Sequence, residues 1–216
     1  ALDGLSIVNG KSSNNGGGIS HTSTGVLNIS NVSFTNNKAA NYGGGIYQGV
    51  GAVNVSDSKF TGNTAANYGG GIANLGNAPL NITRSTFANN TANFVGGGVW
   101  NNGSNSTFVG NAATTGYGGG IETFGTSAIT NSTLSGNTAN IGGGINNWTT
   151  TTLTNVTVSG NIATSQGGGL SNRGSSATVT NSIIAGNTNA GSPDVSGSYT
   201  NPKNNLIGKS AGSTGF

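Results

Sequence analysis

Val53-Asn54-Val55-Ser56-Asp57-Ser58-Lys59-Phe60-Thr61-Gly62-Asn63-Thr64-Ala65, followed shortly by Tyr68-Gly69-Gly70-Gly71-Ile72, is one unit of a repeat whose reading decides the fold. Val53 to Ser56 alternates apolar with polar residues, the period of a strand with one buried face. Leu27-Asn28-Ile29-Ser30 and Leu80-Asn81-Ile82-Thr83 alternate in the same way. A Gly-Gly-Gly-aliphatic motif starts at Gly16, Gly43, Gly69, Gly96, Gly118, Gly142 and Gly167, and the unit recurs every 21 to 27 residues. No segment places apolar residues at helical spacing over three turns, and glycine at this frequency penalises helix. Short strands joined by Gly/Asn turns at such a period describe an all-β fold: a right-handed parallel β-helix, or β-solenoid, of about eight to nine coils.

Stacking the units gives columns. Phe34, Phe60, Phe87, Phe108, Leu134, Val158 and Ile184 align as an inward apolar stack, with Ile7 ahead of them. Two residues earlier run Val32, Ser58, Ser85, Ser106, Ser132, Val156 and Ser182, small enough to share the interior. Three residues after the stack come Asn37, Asn63, Asn90, Asn111, Asn137, Asn161 and Asn187, with Gly10 in the first coil. Asparagine tolerates a left-handed turn and its amide can bond its equivalent in the next coil, so these seven are expected to form a buried ladder. Ala39, Ala65, Ala92, Ala113, Ala139 and Ala163 make a further small-residue column. One coil is short, with Asn90 and Asn111 only 21 apart, so Trp100 to Ser104 has lost part of a strand or turn. Residues 1–187 read as the repeat solenoid. Residues 188–216 read as an irregular C-terminal coil and tail of the same domain, in which Leu206-Ile207 makes a ninth layer.

Gly-Gly-aliphatic motifs alternating with Phe-x-x-Asn resemble the repeats of chlamydial polymorphic outer-membrane proteins over about residues 7 to 187. The stretch from Asn181-Ser-Ile-Ile-Ala-Gly-Asn to Asn204-Asn-Leu-Ile-Gly is similar to large bacterial surface β-helices of the choice-of-anchor type. The resemblance implies an exported cell-surface β-helix, often adhesive.

Composition narrows the function. Only 5% of the 216 residues are charged, and the seven Lys and Arg are spread thinly, so nucleic acid is not an expected partner. There is no cysteine, which excludes disulfides and thiol chemistry, and no apolar run approaches the roughly 18 residues of a membrane span. Ala1 opens into a strand pattern without a signal-like segment, so any export signal is expected outside this sequence. The four acids, Asp3, Asp57, Glu122 and Asp194, read as isolated turn or surface residues, and the lone His21 as a turn residue. No catalytic, metal or cofactor site is assigned, because glycan-active β-helices need clustered carboxylates. The glycine triplets are not phosphate loops, since they recur in every coil with no helix behind them. They let the chain turn tightly or let something lie flat on it: a neighbouring subunit, a sugar ring or the chain's own aromatics.

Tyr42, Tyr68 and Tyr117 immediately precede a triplet, while Tyr47 and Trp100 follow one by two residues. These five are the candidate surface-binding residues, able to stack on sugars or on one another. Outward rows of Asn28/Asn54/Asn81 and Ser30/Ser56/Thr83/Ser104/Thr130/Thr154/Thr180 raise ice binding as an alternative, with uneven chemistry along the row. The expected function is non-enzymatic, extracellular and structural or adhesive, with head-to-tail self-association into fibres. Glycan or ice binding is the alternative, and a host or cell surface the candidate partner.

Overall fold

The computed structural model describes residues 1–76, 78–101, 106–200 and 202–216. Among them every regular element is a strand, and every strand pairing is parallel. The chain is a parallel β-helix whose coils meet a fixed set of faces. In one coil the order is Leu27–Ser30, Ser33–Thr35, Lys38–Ala39 and Ile46–Gln48, and the next coil begins with Val53–Ser56. The second face is a continuous nine-stranded sheet that runs from Ser6–Val8 to Leu206–Ile207, so the ninth layer exists. The first face is split into sheets of four and three strands. The coil that carries Trp100 lies between them; Ser104, assigned to the hydroxyl row, falls outside the described residues.

The register expected from the columns is the observed one. Phe34 pairs with Phe60, Phe60 with Phe87 and Phe87 with Phe108. All four rings are fully buried, stacked at centroid distances of 4.6, 4.6 and 4.9 Å. Leu134, Val158 and Ile184 extend the stack. The glycine triplets follow from this packing. Gly43 adopts φ +67°, which β-carbon-bearing residues rarely take. A Cβ on Gly44 would sit 2.3 Å from the carbonyl of Gly70, and one on Gly45 would sit 2.9 Å from the Phe60 ring. What lies flat on the third glycine is therefore the chain's own phenylalanine.

The asparagine ladder is continuous. Asn63 Nδ2 donates to Asn90 Oδ1 and to the Phe34 carbonyl, both at 2.9 Å, while Asn63 Oδ1 accepts from the N–H and Nδ2 of Asn37 at 3.0 and 2.9 Å. Every hydrogen-bonding position of the buried amide is used. The same pattern runs through Asn111, Asn137, Asn161 and Asn187. The left-handed turn residue is one place earlier than expected. Asn36, Gly62, Asn89, Gly110, Gly136, Gly160 and Gly186 take positive φ, and the ladder asparagines do not. The turn before each ladder residue swings that amide inward, so the two tasks assigned to one asparagine fall to neighbours. The serine column is more than filler: Val32, Ser58 and Ser85 donate their N–H to Ser58, Ser85 and Ser106 Oγ.

The tail after Asn187 packs back on the last coils. Val195–Ser198 pairs with Leu170–Asn172, Ser213–Thr214 pairs with Gly197–Ser198, and the Phe216 ring lies 4.6 Å from Tyr199.

Candidate functional site

The strands that follow the triplets bury their first residue, as Ile46, Ile72, Val99, Ile121, Ile145 and Leu170 show. Alternation then turns the second residue outward, giving the register Ser20, Tyr47, Ala73, Trp100, Glu122, Asn146, Ser171, Ser196. This column is the chemically richest on the molecule.

Tyr47 and Trp100 of this column belong to an aromatic cluster. Tyr42 and Tyr68 pair across coils with rings 5.0 Å apart, Tyr47 lies 6.4 Å from Tyr42, and Trp100 lies 5.3 Å from Tyr68. Four of the five candidate aromatics thus form one half-buried cluster in which they stack on one another. Val95 separates Tyr117 from them in the pairing order. Tyr117 instead meets Trp148 edge-on at 5.5 Å, and the Arg173 guanidinium lies 5.0 Å from Tyr117 and 4.3 Å from Trp148. Sequence reasoning missed Trp148 and Arg173. Each follows its triplet's last glycine by four residues, so register counting would have found them.

Two acids are not the surface residues expected. Glu122 is fully buried in the strand Ile121–Thr123, where the Asn146 amide donates to both carboxyl oxygens at 3.0 and 3.1 Å. Burial raises its pKa well above the ordinary 4.5, against the opposing pull of the Asn146 hydrogen bond and the Arg173 charge. Burial thus disfavours the ionised form of this carboxyl. Asp194 is also buried, and it closes the asparagine ladder: Oδ1 accepts from the N–H and Nδ2 of Asn187 at 2.9 and 2.8 Å. Asp3 and Asp57 are surface acids as expected, held below the usual range by the Ser30 hydroxyl and by Arg84 respectively. His21 ends the strand Ile19–His21 rather than lying in a turn, with Nε2 2.9 Å from the Gly25 carbonyl oxygen. Among the described residues no group of three or more His, Asp or Glu could hold a metal ion.

The outward rows are ordered but interrupted. Asn81 Nδ2 donates to Asn54 Oδ1, and Asn54 Nδ2 to Asn28 Oδ1. Thr130, Thr154 and Thr180 align in the three-stranded sheet, apart from Ser30, Ser56 and Thr83 in the four-stranded one.

Comparison with protein families bears on these coils. Three segments match the Chlamydia polymorphic membrane protein repeat. They are residues 31–49, 57–75 and 155–173. Each begins at the left-handed residue after the alternating strand (Asn31, Asp57, Asn155). Each then takes in the stack residue, the ladder asparagine, the alanine and the triplet, and ends just past the strand that follows. The polymorphic membrane protein repeat is thus most of one coil, and Tyr47, Ala73 and Ser171 of the site column ride on the closing strands of the three matched segments. Neither the curated proteins nor the solved structures contain a match to the chain. Among the described residues no helix is long and apolar enough to cross a membrane.

Proposed function

We propose that this chain is a rigid, non-enzymatic β-helix displayed at the cell surface, with a structural or adhesive role. The observation that carries it is that the segments matching a membrane-protein repeat contain Asn37, Asn63 and Asn161, whose side chains are spent on coil-to-coil bonds. The ladder asparagines of these segments hold one coil on the next with both their amide groups. Head-to-tail association belongs to the same proposal. Each coil recognises its neighbour by an operation of translation and rotation that does not close, the geometry that makes fibres when a second molecule supplies the next coil.

Protease treatment of intact cells carrying the native protein should degrade the chain, and survival of the whole population until lysis would overturn surface display. Incubation with pectins and alginates should give no products; cleavage abolished by Glu122→Gln would overturn the non-enzymatic assignment. Sedimentation across a hundredfold concentration range should show oligomers that grow with concentration, and a strict monomer removes self-association.

A further inference from the structure

We infer that Glu122, Asn146 and Ser171, with the rings of Tyr117 and Trp148, form a binding subsite for a neutral saccharide, and that Arg173 gates it. The site goes beyond the structural role proposed above and does not depend on surface display.

Three features of one column lead there. Glu122, Asn146 and Ser171 are register partners on successive coils, turned away from the core yet completely buried. Asn146 spends its Nδ2 on Glu122, while its Oδ1 has no hydrogen-bond partner, and Ser171 Oγ next to it has none either. Buried polar atoms are almost always paired, and two unpaired neighbours on adjacent coils mark a place where an outside group supplies the bonds. Beside them stand two half-buried aromatic rings, with Arg173, an exposed residue, set against both.

The chemistry selects the ligand. An amide oxygen, a hydroxyl and a carboxyl already engaged at both oxygens by Asn146 form a polar floor suited to hydroxyl groups that donate and accept. An indole and a phenol edge suit the apolar face of a pyranose ring. A polyanionic glycan finds no cation on the floor, and a cationic ligand finds the one carboxyl already occupied by Asn146 at both oxygens. Ser196, the next member of the column, lines an open groove of about 460 Å³ whose walls include Gln166, Asn172 and Ser192. The groove thus opens one register position beyond Ser171, on the next coil. Arg173 occupies the Trp148 ring by a stacking contact of the kind that is weak at exposed sites, so a sugar can displace it.

Calorimetric titration of the full chain with neutral oligosaccharides (gluco-, manno- and chito-hexaoses), polygalacturonate and choline tests the site. Saturable binding of at least one neutral hexaose is expected, with none of polygalacturonate or choline. Ser171→Ala should weaken it roughly five- to tenfold, the effect of one lost hydrogen bond. Trp148→Ala should abolish it, and Arg173→Ala should tighten it. Lys59→Ala, exposed in the strand Lys59–Thr61 of another sheet, should leave it unchanged, and circular dichroism of each variant checks the fold. Preference for the acidic polymer or for choline, binding indifferent to both Ser171→Ala and Trp148→Ala, or no heat from any hexaose at millimolar concentration would overturn the proposal. Cell-surface proteolysis is a separate readout, so loss of either conclusion leaves the other standing.

Discussion

Glu122 carries a cost that its amide neighbour only partly offsets. In the unfolded chain the carboxyl ionises near its ordinary value of 4.5, whereas in the fold burial holds the proton to a higher pH. Between those two values the folded state binds the extra proton. Stability is therefore fully present below the ordinary value and declines as pH rises toward the raised one. Arg173 is the cation whose charge acts on this carboxyl, and it moderates the effect without reversing it. Glu122→Gln keeps an acceptor and a similar shape but does not titrate. Urea unfolding from pH 4 to pH 8 should show the variant gaining on the native chain as pH rises, with little difference at the acid end. A difference constant across that range would mean that Glu122 ionises normally in the fold.

Among the elements, the short strands are held less by length than by repetition. A strand of three residues such as Thr86–Ala88 has neighbours on both sides, and its central Phe87 is stacked between Phe60 and Phe108. Phe87→Ala should lower unfolding free energy by about 3–5 kcal/mol, measured by denaturant titration; an unchanged midpoint would mean that the stack contributes nothing. Gly71→Ala should also destabilise, because the new Cβ would meet both the Phe87 ring at 2.8 Å and the Gly98 carbonyl at 2.6 Å. Most of this level was legible in the sequence. Strand alternation and a fixed coil-to-coil register are one-dimensional patterns, so Phe60, Asn63 and Ala65 could be assigned by counting. Counting also places Glu122, Asn146 and Ser171 two residues past their triplets. Their burial was not legible, since strand alternation assigns them to the outward face. The same counting aligns Asn36 with Gly62, Gly110, Gly136, Gly160 and Gly186, the signal that the left-handed turn falls one place before the ladder asparagine.

At the scale of the whole molecule, the asparagine ladder has a direction, and its two ends are treated differently. Each Nδ2 donates toward the C-terminal coil, so at the N-terminal end Asn37 Oδ1 receives the backbone N–H of Gly10 at 2.8 Å. At the other end the last donor, Asn187, needs an acceptor that has no proton to hand on. Asp194 fits that requirement, since a carboxylate accepts at both oxygens. Its Oδ1 takes both Asn187 donors, and its Oδ2 takes the Lys209 N–H at 2.7 Å. One side chain thus ends the ladder and pins the tail that carries Ser213–Thr214 and Phe216 onto the preceding coil. Asp194→Asn separates the two tasks. Its oxygen can still serve Asn187, but its amide then faces the Lys209 N–H, donor against donor. Amide hydrogen exchange should show Lys209 and the Ser213–Thr214 pair losing protection while Asn187 and the coils before it keep theirs. Asp194→Ala should lose protection at Asn187 as well. Equal protection of Lys209 in the native chain and in Asp194→Asn would show that the tail is held by Tyr199 and Phe216 alone.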